Sequence, residues 1–423
     1  MAITLASPLV FCSTLARMQT PTLLATASIG SLDAEAAAAA AMPSKQLRHQ
    51  VRDDVERLMV NATLLFSRAS LSESSWWRRG VPRDHHDSGE SFRLIAVPQH
   101  RLYVVGWRPF IGQHRCPDGS IVEVVHHLNL FGTSAKNAKQ QFRDGVGTVI
   151  QTFHSDEHKR SFVASYDRGS RAYHFPRGVG LAIGPGTRCE ALVLEHHILA
   201  PPCWDFDRQP ATTDISGFEL FVMDKQPERL AAIVGFMDES MNLKPGQGIV
   251  DEVSIAPSQS IQHLFFGPSI NGAKKWVPRL AKGSPLELIA IHLHTHSFAG
   301  SKWFEIVDEN GKSIFMSKEE PAGYGPELQS MFNLPDLGWP RLMLRPGITL
   351  KQHCSYDTNK LTHALHDGVG YGDEMCGALF IVAGYTDERR IPHTVLSSDS
   401  GEVRPRAVGS VPKFFHKSTQ YGF

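Results

Sequence analysis

From about Ser91 onward the chain breaks into short runs rich in β-branched and aromatic residues, closely spaced and divided by turn residues. That pattern restricts the fold to strands packed in layers. Arg101 to Val105, Ser120 to Leu130, Val146 to Phe153, Gly180 to Ile183 and Glu190 to Leu199 predict a first series of strands. Pro201-Pro202 and the polar stretch Arg208 to Thr213 then interrupt it, as a joint between domains does. A second series follows at Phe218 to Met223, Ala231 to Gly235, Leu286 to Thr295, Trp303 to Val307, Ile348 to Tyr356 and Ala378 to Tyr385. The expectation is an all-β protein of two consecutive antiparallel, jelly-roll-like β-sandwich domains, at residues 91–210 and 211–395, with a tail at 396–423. The 35 glycines and 26 prolines suit so many turns.

Residues 1–90 read as a leader followed by a helical extension. The first 32 residues hold no Asp or Glu, and Ile3 to Ala16 is moderately apolar, with Ala25-Thr26-Ala27 as a signal-peptidase site. An organellar transit peptide is the competing reading, although Arg17 is the only basic residue there. Ser44 can cap a helix whose apolar positions Leu47, Val51, Val55 and Leu58 share one face. Asn61-Ala62-Thr63 on that helix matches a glycosylation triplet. No later run reaches the ~18 apolar residues of a membrane span.

Lys plus Arg equals Asp plus Glu at 43 each, so no basic field is present to hold nucleic acid. Histidine stands out, with 21 residues and three adjacent pairs, His85-His86, His126-His127 and His196-His197. Neutral imidazole is the commonest metal ligand. The six cysteines form no CxxC pair, which excludes a zinc ribbon.

In Leu286 to His296 the order is Leu-Glu-Leu-Ile-Ala-Ile-His-Leu-His-Thr-His, so on a strand His292, His294 and His296 share a face. The row alone also reads as a solvated polar face of an edge strand. Met375, in Glu374-Met375-Cys376, offers a thioether, a soft donor that favours copper(I) over zinc or oxygen-seeking cations. His126 and His127 are adjacent, and joint ligation by them requires a bulge or a strand end.

These motifs resemble one family. Cys354-Ser-Tyr356-Asp-Thr358, Gly370-Tyr-Gly372-Asp-Glu374-Met375-Cys376 and His294-Thr295-His296 are similar to the C-terminal domain of the type II copper, ascorbate-dependent monooxygenases, which include dopamine beta-hydroxylase and peptidylglycine hydroxylase. Val124-Val125-His126-His127-Leu128 resembles the His-His motif of that family's second copper centre. Leu192-Val-Leu194-Glu195-His196-His197 resembles the strand with its third histidine, which selects His197, with His196 as the alternative. Asp214-Ile-Ser216-Gly217 resembles its domain junction. The likeness covers about residues 90 to 390.

The resemblance implies two copper ions, one held by His294, His296 and Met375 where dioxygen and substrate react, the other by His126, His127 and His197 as an electron store. It also implies ascorbate as reductant, a small-molecule substrate, a Cys354–Cys376 disulfide and a secretory-pathway location. His292 lies outside the ligand pattern and reads as a supporting or surface residue. The peptide-amidating branch grips a carboxylate with an Arg, an Asn and a Tyr where this chain has His292, Gly377 and Leu379, which disfavours a peptidylglycine substrate. The remaining residues fit the amine-hydroxylating branch better. Family members carry a Cys soon after His-His, where this chain has Gly132-Thr133, and Cys189 with Cys203 is the pairing expected here. If Cys12 leaves with a signal peptide, five cysteines remain and one is unpaired. Two other functions remain open: a non-catalytic copper-binding or adhesion protein, and a zinc hydrolase, although no His-Glu-x-x-His helix is present.

Overall fold

The runs read as strands form them. The computed structural model describes residues 56–66, 88–150, 161–199, 203, 212–237, 241–255, 286–308, 310–324, 328–344, 348–366, 368 and 373–385. The leader, the first turns of the expected N-terminal helix, most of the Pro-containing joint and the C-terminal tail lie outside them.

The first half carries β1 (Glu56–Phe66), β2 (Ser88–Ala96), β3 (Leu102–Phe110), β4 (His114–Arg115), β5 (Ile121–Val122) and β6 (Val125–Thr133). After the short helix α1 (Ala135–Gln141) come β7 (Val149–Ile150), β8 (Ser161–Asp167), β9 (Tyr173–His174), β10 (Val179–Ile183) and β11 (Ala191–Leu199). The second half adds β12 (Thr212–Met223), β13 (Arg229–Met237), β14 (Asn242–Leu243), β15 (Ile249–Ile255), β16 (Leu286–Thr295), β17 (Ser301–Val307), β18 (Ser313–Met316) and β19 (Glu320–Pro321). It ends with β20 (Phe332–Asn333), β21 (Leu342–Leu344), β22 (Thr349–Asp357), β23 (Leu365–His366) and β24 (Cys376–Tyr385). The all-β class is therefore as the sequence predicts.

Strands β1, β12, β3 and β10 lie side by side in one antiparallel array. A second array runs β7-β2-β11-β6-β8 and continues through β13 to β24 and β16. The join between β8 and β13 is the single pair Phe162–Ile233, whereas β13 and β24 match from Leu230–Tyr385 to Met237–Gly377. A further sheet, β15-β22-β17-β18, packs on the second-half strands. In β22 burial alternates residue by residue, with Leu350, Gln352, Cys354 and Tyr356 turned inward. That is the period of a strand with one covered face. β16 is buried at all ten positions, which accounts for its nearly unbroken apolar start.

Three apolar clusters follow from this layering among the described residues, two of them large. In the first, Trp107 is fully buried against Tyr173 and Phe175, with ring centroids 4.6 and 5.9 Å away, and its Nε1 donates to the Ser165 carbonyl at 3.0 Å. In the second, Phe304 of β17 meets Phe380 of β24 at 5.4 Å across the layers. Cys354 and Cys376 are disulfide-bonded and tie β22 to β24, the pairing the resemblance implies.

The chain departs from the sequence reading in two places. Residues 56–66 form a strand rather than the end of a helix, pairing with β12 from Glu56–Val222 to Phe66–Thr212. The run Leu-Met-Val-Asn-Ala-Thr-Leu-Leu-Phe suits a pleated surface as well as a helix face, and the long edge of β12 decides between them. The Asn61 triplet is thus on a strand. Cys203 is bonded to Cys116, not to Cys189. Cys189 is buried beside Gly132, where an added Cβ would stand 2.1 Å from its Sγ, so the sulfur fills the space a side chain at 132 would need.

Trp107→Ala is expected to destabilise the chain by about 3–5 kcal/mol in urea denaturation. Trp107→Phe is expected to cost less but still measurably, because the buried Ser165 carbonyl loses its donor.

Candidate metal centre

On a regular strand His126 and His127 would face opposite sides of the sheet. A bulge removes the difficulty. Along the β6–β11 ladder His197 pairs with His127, and the next pair is Ile198 with Val125, so His126 is the extra residue. The Nδ1 atom of His197 then lies 3.1 Å from that of His126 and 3.2 Å from that of His127. These spacings are close to the ~3.3 Å between two ligand nitrogens about 2.0 Å from a common tetrahedral ion. The three rings converge with one nitrogen each within 4.8 Å. His196, the alternative third histidine, faces the other side of β11 near Asp214, and burial lowers its pKa to about 4. Asp214 itself sits on β12 with Oδ1 2.9 Å from His114 Nε2, and Ser216 accepts from the Gly112 amide.

Polar neighbours fix these rings. The hydroxyl of Tyr324 is 2.7 Å from His126 Nε2, and Glu195 Oε2 lies 3.7 Å from His127 Nε2 while accepting from Asn129. A group on the far nitrogen that sets ring orientation is what metal-binding imidazoles use.

β16 lies between β24 on one side and β20 and β21 on the other, so the His292, His294, His296 row is not the face of an exposed edge strand. All three imidazoles are buried. His294 and His296 have ring centroids 5.2 Å apart, and His296 Nε2 is buried with no hydrogen-bond partner. His294 Nδ1 is 3.2 Å from Gln329 Oε1, and Gln329 donates to the carbonyls of Thr295 and Gly323. His292 is interior as well, with Nε2 2.9 Å from Asp167. Beneath the row the buried ammonium of Lys302 donates to the carbonyls of Leu293 and Leu328, and burial lowers its pKa to about 8.

Met375 is brought toward this row by its neighbour. The carboxylate of Glu374 is fully buried and accepts from the backbone amides of His296, Phe298, Ala299 and Met375. One oxygen thereby holds the amides of His296 and Met375 together, which docks the Glu-Met-Cys strand onto the turn after His-Thr-His. Burial raises the pKa of Glu374 to about 7 against those four donors. The ring of His296 is anchored through Nδ1, 3.0 Å from the Asp373 carbonyl.

The two histidine sets are in contact. His126 and His296 have ring centroids 4.8 Å apart, edge to face, and His126 to His294 is 6.5 Å. Tyr324 spans them, binding His126 through its hydroxyl with its ring 5.7 Å from that of His296. Sequence reading did not single out Tyr324, Asp167 or Gln329, since none belongs to a spaced motif. Glu195 and Glu374 lie inside the Leu-Glu-His-His and Glu-Met-Cys motifs, but only the fold shows what their carboxylates hold.

A buried cluster of imidazoles on adjoining strands of an all-β scaffold is the class that fold and site define. Residues 246–389 match the C-terminal domain of the copper type II ascorbate-dependent monooxygenases. Dopamine beta-hydroxylase of Canis lupus familiaris is 25% identical over 287 residues, 67% of this chain and 41% of the relative. Tyramine beta-hydroxylase of Caenorhabditis briggsae is 24% identical over 217 residues, 51% of this chain and 32% of the relative. The chain is thus similar to the copper type II, ascorbate-dependent monooxygenases, by the family's C-terminal domain over residues 246–389 and by these relatives over a longer stretch. It spans about two fifths or less of the length of these two relatives. Among solved structures, the major capsid protein P2 from bacteriophage PM2 aligns with a TM-score of 0.30 at 12% identity, covering 78% of this chain and 98% of that one. PNGase F, a glycosylasparaginase from Flavobacterium meningosepticum, gives 0.31 at 10% identity, covering 79% and 97%. Likeness at that level carries nothing further.

Burial holds His126 and His197 well below the ordinary imidazole pKa, with neighbouring histidines adding to the effect, and lowers His294 to about 4 and His296 to about 3. Depressed histidines give stability that is complete above the unfolded value near 6.5 and is lost as pH falls toward the folded values. Glu374, raised to about 7, works in the opposite direction between about pH 4.5 and 7, but it is one group against several. Urea midpoints of the metal-free protein are therefore expected to fall steadily from pH 7 to pH 4. A midpoint that rises over that range would contradict neutral, buried imidazoles.

Proposed function

We propose that the chain is a copper-dependent monooxygenase that hydroxylates a C–H bond of a small organic substrate with dioxygen, ascorbate supplying the two electrons. The observation that carries this reading is the convergence of the His126, His127 and His197 Nδ1 atoms at the bulge, in ring contact with His294 and His296. Three neutral imidazoles would hold one copper, and His294, His296 and Met375 would hold the other, the thioether favouring the reduced ion. Copper bound there would supply the one-electron and dioxygen chemistry. Tyr324, Glu195, Gln329 and the Asp373 carbonyl orient the rings, and Glu374 keeps Met375 beside them. The division at 210/211 into two copper-binding domains is part of the same proposal, with β13, β24 and β16 continuing the first domain's sheet.

The substrate side is read from what is absent at residues 292, 377 and 379. His292, Gly377 and Leu379 offer no bidentate cation, so a carboxylate-bearing peptide lacks its grip and a dopamine beta-hydroxylase-like substrate is the better fit. Disulfides at Cys116–Cys203 and Cys354–Cys376 favour an oxidising compartment, the secretory lumen. No helix among the described residues is long and apolar enough to cross a membrane.

Metal content is the test. The full chain is expected to bind two coppers and to fall to about one in both His294→Ala and His127→Ala. The loaded protein should consume dioxygen with ascorbate. Preferential retention of zinc with no effect of Met375→Ile, or full copper loading with no turnover on amine and peptide panels, would overturn the oxygenase reading.

A further inference from the structure

The first half of the chain does not complete the environment of its own histidine set. The far nitrogen of His127 faces Glu195, a neighbour on β11, at 3.7 Å. The far nitrogen of His126 meets instead the hydroxyl of Tyr324, 198 residues away in sequence and just past β19. At 2.7 Å that contact is shorter than the 3.1 and 3.2 Å between the ring nitrogens of the set.

The bend that carries Tyr324 is fastened to the other set. Gly323 turns the chain with a φ of 94°, a conformation glycine adopts without strain. Its amide donates to the Thr295 hydroxyl at 3.1 Å, and its carbonyl accepts from the Gln329 side-chain nitrogen at 2.8 Å. The same nitrogen donates to the Thr295 carbonyl at 2.7 Å, so both its protons are spent. The remaining Gln329 oxygen, 3.2 Å from His294 Nδ1, can only accept, and His294 carries its proton there. Tyr324 therefore stands on a frame built from the His294-Thr295-His296 strand, and the Gln329 carbonyl fastens that frame to Ser170 after β8.

We propose that Tyr324 is a positioning residue for the first copper, a second-half side chain that accepts the Nε2 proton of His126 and leaves Nδ1 bare beside those of His127 and His197. Gln329 holds it in place through Gly323. The inference rests on the copper reading of the two sets. A hydrogen bond at the far nitrogen fixes both the tautomer and the direction of a ligating ring. A phenol does so without adding a charge to a buried cluster. The first set thus takes part of its geometry from the second half. A change at Gln329, whose side-chain hydrogen bonds all go to second-half residues, reaches it by way of Gly323 and Tyr324.

The test uses the full chain, stripped of metal and titrated with copper(II) in two backgrounds: His294→Ala, which leaves the first set, and His127→Ala, which leaves the second. Competition affinity and electron paramagnetic resonance are the readouts. Tyr324→Phe removes the hydroxyl and keeps the ring beside His296. It is expected to weaken copper in the His294→Ala background by about tenfold or more, with a changed resonance signature, and to leave both unchanged in the His127→Ala background. Gln329→Met, read where its own histidine partner is already gone, is expected to weaken the first set as well and to add nothing once Tyr324→Phe is present. First-set affinity and signature unaltered by Tyr324→Phe, equal losses in both backgrounds, or a Gln329→Met loss that adds in full to that of Tyr324→Phe overturns the assignment. Tyr324→Phe carries the test alone if Gln329→Met does not fold. Failure of the copper reading appears separately, as copper content unchanged in His294→Ala and His127→Ala of the otherwise wild-type chain.

Discussion

Imidazoles packed ring to ring in an interior cannot all be positively charged, and the surrounding structure is arranged around that constraint. His126, His197, His294 and His296 are all held below the ordinary imidazole range, chiefly by burial. Their nitrogens therefore present lone pairs to one another and to any cation between them. The nearby carboxylates are kept in separate hands. Glu195 faces His127, Asp167 faces His292 and His294, and Glu374 is consumed by four backbone amides. A protein interior tolerates this polarity only if almost every group has a partner, and a continuous sheet is an effective way of fixing so many directions at once. The route β11-β6-β8-β13-β24-β16 does so, carrying a histidine set near each end of one hydrogen-bonded surface.

Much of this was legible in the sequence. Strand positions in both halves could be read from β-branched runs, because a covered face imposes period two on the side chains, as β22 shows residue by residue. The histidine row of β16 was legible for the same reason, and adjacency at 126 and 127 already demanded a bulge. Other features were not legible because they depend on distant pairing. Residues 56–66 are compatible with either regular structure, and only the edge of β12 settles the matter. The partner of Cys203 depends on which loops meet, not on spacing. Asp167 and Tyr324 belong to no periodic pattern, and they reach the cluster because β8 and the segment after β19 pass beside it.

The Cys354–Cys376 bond and the Glu374 clamp act on the same few residues from opposite sides. The first ties β24 to the outer sheet, and the second ties the residue before Met375 to the turn after His296. Met375 itself is only half-buried, so its position is set by its neighbours more than by its own packing. A flexible thioether needs such support if it is to remain available as a ligand.

The bulge at His126 has a consequence for how this chain can change over time. Most surface connections between strands absorb gained or lost residues with little effect. Between Val125 and His127 there is no such freedom: removing the extra residue would restore a regular ladder and turn one of the two imidazoles to the opposite side of the sheet. A one-residue deletion between Val125 and His127 therefore separates the two imidazoles, whereas a residue gained or lost in the loops beyond β6 and β11 leaves them together.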